Sequence, residues 1–279
     1  MSQRKLGFVL LVPVLLAGCP GGGGDGSKVT CAAVTSPARA AKLPKDVLDL
    51  SHWSLTLPVD AAGNHSGTAA TVTTSELLAG YESDWFHAVT GDGVEFFAPI
   101  QGATTKSTIY PRSELRELIS PPDPSINWSS AGPAELVADL AVHQVPLANG
   151  KVTVGEIVGY NGDNPDINVL TKLVFEYNAE SCSATLYALT LPSPTASGST
   201  ASRQILTRTL NLGQPFSYSI RVDNKTIHFA SGTATASEPI TADWDAVGLY
   251  FRAGASLFAN GASLTDGARV TFYQLAATH

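Results

Sequence analysis

From residue 93 to the end of the chain, apolar and polar positions alternate in short runs with a period of two. The segments "GVEFFAPI", "AELVADLAVHQV", "KVTVGEIVGY", "TKLVFEYN", "ATLYALTL", "FSYSIRV", "TIHFASG", "AVGLYFRAG" and "ARVTFYQLA" are rich in β-branched or aromatic residues. Each is bounded by Gly, Pro, Asn or Asp. Such alternation buries one face of a strand and leaves the other to solvent. "RVDNKTIHF" predicts a hairpin turning at Asp223–Asn224, and "TSELLAGY" predicts one short helix capped by Thr74 or Ser75. "LPSPTASGSTAS", residues 191–202, predicts an extended surface loop. Many short strands and almost no helix predict an all-β fold. Its form is a β-jelly roll or two-sheet antiparallel sandwich, with one concave face left as a groove.

Length and composition fit that picture. The chain has 279 residues, 44% of them hydrophobic and only 15% charged, and its net charge is −7. All-β sandwiches of this size commonly form one domain. The acidic balance argues against nucleic acid as a partner, but a local row of arginines still suits a polyanion. No nucleotide or phosphate-binding motif occurs in the sequence, and no cofactor is expected.

The first residues bear on the compartment. "MSQRKLGFVLLVPVLLAGC" has a basic start, an apolar run and small residues before Cys19, the pattern of a secretory signal over residues 1–19. "LLAGC" resembles the bacterial lipobox, which implies lipidation at Cys19 and an exported protein anchored to a bacterial membrane, or else one that is secreted. The Gly-rich stretch that follows predicts a flexible tether over residues 20–43, leaving one domain over residues 44–279. That domain is expected to be a monomer that touches the membrane only through the lipid. Cys31 and Cys182 remain, and in an oxidising compartment they are expected to pair. Neither has a Cys/His cluster beside it, so no metal site is expected.

Three segments place polar residues on one strand face. "RSELREL" aligns Arg112, Glu114 and Arg116. "GEIVGY" aligns Glu156, Val158 and Tyr160, while "YFRAGASLF" aligns Tyr250, Arg252, Gly254, Ser256 and Phe258 if the strand is regular. Lys172 in "LTKLVFEY" adds a further cation. If these strands are neighbours, Arg112, Arg116, Arg252 and Lys172 surround one or two carboxylates in a cleft suited to acidic sugars. For the arginine row, the alternative is a cross-strand salt-bridge ladder that holds the sheet.

"DLSHWSLTLPVD", "YPRSELREL" and "YFRAGASLFANGASLTDGARVTFYQLAATH" resemble the alginate lyases of polysaccharide lyase family 7, over a span from about Asp49 to the C-terminus. The resemblance implies a β-jelly roll whose concave sheet holds the polysaccharide. It also implies a β-elimination that removes the C5 proton of a uronate and expels the 4-O-linked sugar. The family's R-S/T-E-L-R block is matched in full. Its Q-I/V-H block becomes Glu156, Ile157 and Val158, and its Y-F-K-A-G-x-Y-x-Q block carries Arg252, Ser256 and Phe258 at the varied positions. The family's histidine and second tyrosine are therefore replaced.

That chemistry needs a group to neutralise the uronate carboxylate, a base, and a proton for the leaving oxygen. Arg112 is expected to clamp the carboxylate with charge-assisted hydrogen bonds. Glu156 is expected either as the base or as the structural partner of an arginine, and Tyr160 is the phenol nearest the lost one. Glu114, Arg116, Lys172, Tyr250, Arg252 and Ser256 are expected to contact the substrate. His52, His87, His143 and His228 follow no ligand spacing and are expected to be packed or solvated. A lyase acting on alginate or a related polyuronate is the leading expectation. The alternative is a surface lipoprotein that binds the polysaccharide without cleaving it. A glycoside hydrolase is disfavoured, because Val158 and Tyr160 stand where its carboxylates belong.

Overall fold

The structure, a computed structural model, describes residues 30–160 and 168–279. The expected signal segment, Cys19 and residues 20–29 of the expected tether lie outside the described residues. The described strands are β1 (Trp53–Thr56), β2 (Thr71–Val72), β3 (Phe86–Val89), β4 (Gly93–Pro99), β5 (Arg112–Glu117), β6 (Ala134–Gln144), β7 (Lys151–Tyr160) and β8 (Val169–Asn178). They continue as β9 (Ser183–Thr190), β10 (Ser202–Leu210), β11 (Phe216–Asp223), β12 (Thr226–Ser231), β13 (Ala234–Pro239), β14 (Gly248–Leu257) and β15 (Gly267–Thr278). Among the described residues one short α-helix, α1, spans Thr74–Ala79.

These strands form two antiparallel sheets, as the alternation predicts. One has eight strands in the order β10-β9-β8-β7-β14-β5-β1-β2, and the other has seven in the order β13-β12-β11-β6-β15-β4-β3. The inward faces meet in one apolar core. Leu55, Leu115, Ile157 and Phe251 come from the first sheet, and Phe96, Leu140, Ile220 and Phe272 from the second. Phe86, Phe96 and Phe272 pack edge to face, with ring centroids 5.1 and 5.3 Å apart, an arrangement their ring quadrupoles favour. The chain order jumps between sheets, so β5, β14, β7 and β8 come to lie side by side although their residues are far apart in sequence.

The strands of this group are not regular. Register slips occur between Ala253 and Ser256 on β14, and β7 and β8 slip against each other at Thr153/Gly155 and at Ile157/Val158. Bulges of this kind re-aim side chains and increase the local twist. Two glycines are required here. Gly254 has φ +151°, and a Cβ there would lie 2.5 Å from the Ser113 carbonyl oxygen. At Gly155 a Cβ would lie 2.5 Å from the Tyr218 hydroxyl, which donates to the Val154 carbonyl across 2.8 Å.

The structure departs from three expectations. The helix is capped by Thr73, whose hydroxyl accepts from the Glu76 amide while the Glu76 carboxylate accepts from the Thr73 amide, a reciprocal box that Thr74 and Ser75 cannot make. The hairpin turns one residue later, at Asn224–Lys225. Both residues have positive φ, as a two-residue loop between twisted strands requires. Residues 30–43 are not a free tether. The Ala40 amide donates to the Ala88 carbonyl, the Thr90 amide donates to the Ala38 carbonyl, and Cys31 is disulfide-bonded to Cys182 in the β8–β9 turn.

Candidate active site

The outward face of the eight-stranded sheet carries one charged row. Arg116, Arg252, Glu156, Lys172 and Leu189 are successive register partners across β5, β14, β7, β8 and β9. Two residues along β14 Gly254 faces Glu114, and two further Ser256 faces Arg112 on β5. The three segments that sequence alternation singled out are therefore adjacent, with Lys172 on the next strand.

Two of the carboxylates lie at the bottom of this face. Glu156 has no exposed surface and Glu114 is 2% exposed. The Arg112 guanidinium donates to Glu114 across 2.8 Å, and the Arg252 Nε lies 3.9 Å from the same oxygen. Arg252 Nη1 lies 3.9 Å from one oxygen of Glu156, and Lys172 Nζ lies 3.5 Å from the other. Glu156 accepts no close hydrogen bond among the described residues, so its charge is balanced at ion-pair distance. Three cations thus face two carboxylates, an excess of one positive charge.

The environments of the two carboxylates drive them apart. Burial pushes the Glu114 carboxyl up, and the neighbouring Glu156 charge adds to that push, against the pull of Arg112 and Arg252. Burial also raises Glu156, but Lys172, Arg112 and Arg252 outweigh it and hold it below the ordinary carboxylate range. Glu156 is the member that stays ionised, and Glu114 is the one that takes a proton first.

Above this layer lies a cavity of about 510 Å³, a size typical of small-ligand sites. Arg112, Lys172, Tyr160, Tyr250 and Arg252 line it. The β4–β5 loop adds Ser107, Thr108 and Tyr110 on one side, and the β9–β10 loop adds Leu191, Gly198 and Ala201 on another. Arg252 Nη2 donates to the Tyr250 hydroxyl across 2.9 Å. Lys172 Nζ lies 5.3 Å from the Phe258 ring centroid, within cation–π range.

Four predicted residues sit elsewhere than on the cavity wall. Glu114 and Glu156 are buried beneath the cations and do not line the cavity. Ser256, 3% exposed, is covered between Arg112 and Thr153. The Arg116 guanidinium is stacked 4.2 Å from the Tyr250 ring centroid and 5.6 Å from that of Tyr160, and it donates to the Pro124 carbonyl at the rim. None of His52, His87, His143 and His228 lines the cavity.

Sequence reasoning missed Tyr110, Asn168, Val169 and Leu189 as lining residues. Tyr110 stood two positions before Arg112, inside the block that drew attention. The other three carry no chemical signature and are set by strand neighbours alone.

The chain is similar to known alginate lyases along most of its length. A family profile described as "Alginate lyase" matches residues 48–279. A curated alginate lyase of Klebsiella pneumoniae is 31% identical over 295 aligned positions, which cover 87% of this chain and 94% of that one. The crystal structure of an alginate lyase from Pseudomonas aeruginosa has a TM-score of 0.74 at 31% identity, covering 83% of this chain and 99% of the other. Alginate lyase A1-II′, titled a member of polysaccharide lyase family-7, gives a TM-score of 0.75 at 28% identity, covering 85% and 99% of the two chains.

Proposed function

The chain belongs to the alginate lyase family, polysaccharide lyase family 7, and on that premise we propose that the basic cavity above Glu114 and Glu156 is where it eliminates across a uronate of alginate. The observation that carries this reading is the convergence of Arg112, Arg252 and Lys172 on one cavity over a buried pair of carboxylates.

The chemistry follows from charge. The C5 proton of a uronate is weakly acidic because the adjacent carboxylate is already negative. Binding that carboxylate to guanidinium and ammonium groups withdraws the charge that opposes carbanion formation. Arg112 supplies a guanidinium on the cavity wall, anchored on Glu114, and Lys172 and Arg252 supply further positive charge. As the proton leaves C5, its electron pair becomes the C4–C5 double bond, and the C4–O bond breaks. The departing oxygen then takes a proton.

Proton transfer falls to the phenols. Val158 and Ser256 cannot replace the family's histidine and second tyrosine, and the titratable hydroxyls lining the cavity, among the described residues, are those of Tyr110, Tyr160 and Tyr250. Tyr160 is assigned the proton-transfer role and Tyr250 a substrate contact, its hydroxyl already held by Arg252. Of the two roles expected for Glu156, counter-charge is assigned over base, because a carboxylate with no exposed surface cannot reach a substrate proton. Glu114 holds Arg112 in place, Arg116 braces Tyr250, and Ser256 fills the floor.

The remaining assignments rest on sequence. Residues 1–19 are taken as a lipoprotein signal and Cys19 as the lipidated residue, so the enzyme is exported, is held at a bacterial membrane by lipid or released, and acts as a monomer.

Incubation of the purified domain with alginate, polymannuronate, polyguluronate and polyglucuronate tests the reading through the ultraviolet absorbance of the unsaturated product. Absorbance that rises with at least one polymer is the expected result. Reducing ends without the chromophore indicate hydrolysis. Retention on immobilised alginate with neither signal indicates a binding protein, and either of these outcomes overturns the assignment.

A further inference from the structure

The cavity has two chemically different walls. On the β5 and β14 side stand Arg112, Tyr250 and Arg252. An aliphatic lining runs from Val158 on β7, opposite Tyr250, through Val169 on β8 to Leu189 on β9 beyond Lys172, and Leu191 and Ala201 of the β9–β10 loop complete it. The register sets their places: Val158 pairs with Val169, Leu189 pairs with Lys172 three residues further along β8, and the Leu191 amide donates to the Leu170 carbonyl, next to Val169. Asn168 at the edge of this wall donates its side-chain amide to the Ala196 carbonyl across 2.9 Å, and its backbone amide donates to the Pro194 carbonyl. These bonds hold the β9–β10 loop that supplies Leu191 and Ala201.

An unsubstituted uronate in a 1,4-linked chain carries its two free hydroxyls and its carboxylate around the ring edge, and its apolar C–H groups lie on the ring faces. A hydroxyl set against the aliphatic wall loses its water and gains no partner, which is unfavourable. A small acyl group has the opposite preference. Its methyl buries against Val169 and Leu189, while its ester oxygen stays next to the Lys172 ammonium at the boundary of the two walls.

We propose that this wall is a subsite for an O-acyl substituent, and that the preferred substrate is a uronate polymer esterified on its ring hydroxyls, an O-acetylated alginate. The proposal rests on the reading of this cavity as the uronate site. Val158, Val169, Leu189 and Leu191 are its specificity-determining residues.

The test uses O-acetylated alginate and the same preparation after mild alkaline deacetylation. For the wild-type chain, kcat/KM is expected to be roughly tenfold higher on the acetylated material. Leu189→Asn and the isosteric Val169→Thr are expected to bring that ratio towards one, by lowering kcat/KM on the acetylated polymer. Equal or lower kcat/KM on the acetylated polymer overturns the proposal, and so does a ratio unchanged in both variants. Calorimetric binding of matched oligosaccharides separates this proposal from the lyase reading. Tighter binding of acetylated oligosaccharides without product formation sustains the subsite and sinks the lyase assignment. Equal affinity for the two sinks the subsite.

Discussion

Lys172 sits directly opposite Glu156 in the β7–β8 register, and its ammonium lies 3.5 Å from a carboxylate that has no exposed surface. A buried charge is tolerable only when it is paired. Glu156 is therefore an internal counter-ion that keeps Lys172 and Arg252 side by side, where two cations would otherwise repel. It aims positive charge at the cavity without touching what the cavity holds.

Glu156→Gln tests that role. Removing one member of a buried ionic cluster leaves the others unbalanced, and the unfolding free energy is expected to fall by about 3–5 kcal/mol, measured by denaturant titration. KM for alginate is expected to rise as Lys172 and Arg252 drift apart. A variant of unchanged stability whose kcat alone is abolished would show that Glu156 is the base after all.

A pH dependence follows from Glu114. Its carboxyl is pushed above the ordinary range by burial and by Glu156, so the folded state holds a proton that the unfolded chain releases earlier. The stability this proton contributes is present in acid and is lost as pH rises from the ordinary carboxylate range through the raised value. Over the same window the cavity gives up one net positive charge, and KM for the polyanion is expected to rise. Glu156 has the opposite sign: its contribution is lost as pH falls through its lowered value. A KM–pH profile of Glu114→Gln is expected to be flat where the wild type climbs, and a climb retained in the variant assigns the titration to another group.

Gly254→Ala is expected to cost about 2–3 kcal/mol, because φ is +151° and the new methyl would press on the Ser113 carbonyl and the Glu114 Cα. Because that pressure falls beside Glu114, kcat/KM is expected to drop along with the melting temperature. A drop in melting temperature alone, with activity intact, separates the backbone of β14 from the charge cluster.

The Cys31–Cys182 bond closes a sequence separation of 151 residues. In the chain-entropy account a loop of that length stabilises the fold by about 5 kcal/mol. Cys182→Ser is expected to lower the melting temperature by several degrees and to expose residues 30–43 to protease, with kcat on alginate unchanged, since the bond lies in the β8–β9 turn and does not line the cavity. Loss of kcat in parallel with stability contradicts this.

Much of this architecture is legible in the chain, because strands with one buried face must alternate. β4, β6, β7, β8, β9, β11, β12, β14 and β15 all fall within or overlap the runs read from apolar periodicity. β10, "SRQILTRTL", and β13, "ATASEP", are edge strands whose outward positions dominate, so their alternation is masked by Arg, Gln, Ser and Thr. The row Arg112–Glu114–Arg116 is read correctly as sharing a face, yet its members differ in depth. Arg112 reaches the cavity, Glu114 lies beneath it, and Arg116 turns onto Tyr250. Depth depends on which strands flank β5, and a periodicity argument carries no information about neighbours. Glu156 shows the same limit more sharply. Only the positions of Arg252 and Lys172 on either side make it a counter-ion.

The central claim is that a cluster of cations led by Arg112 neutralises the uronate carboxylate. It is tested most directly by kcat/KM of Arg112→Ala on the polymer the wild type cleaves fastest, read from the unsaturated product, with circular dichroism to confirm the fold. The account predicts a loss of roughly 10²–10³-fold, the size expected when a preorganised group facing developing negative charge is removed. A folded Arg112→Ala protein that cleaves as fast as the wild type contradicts it.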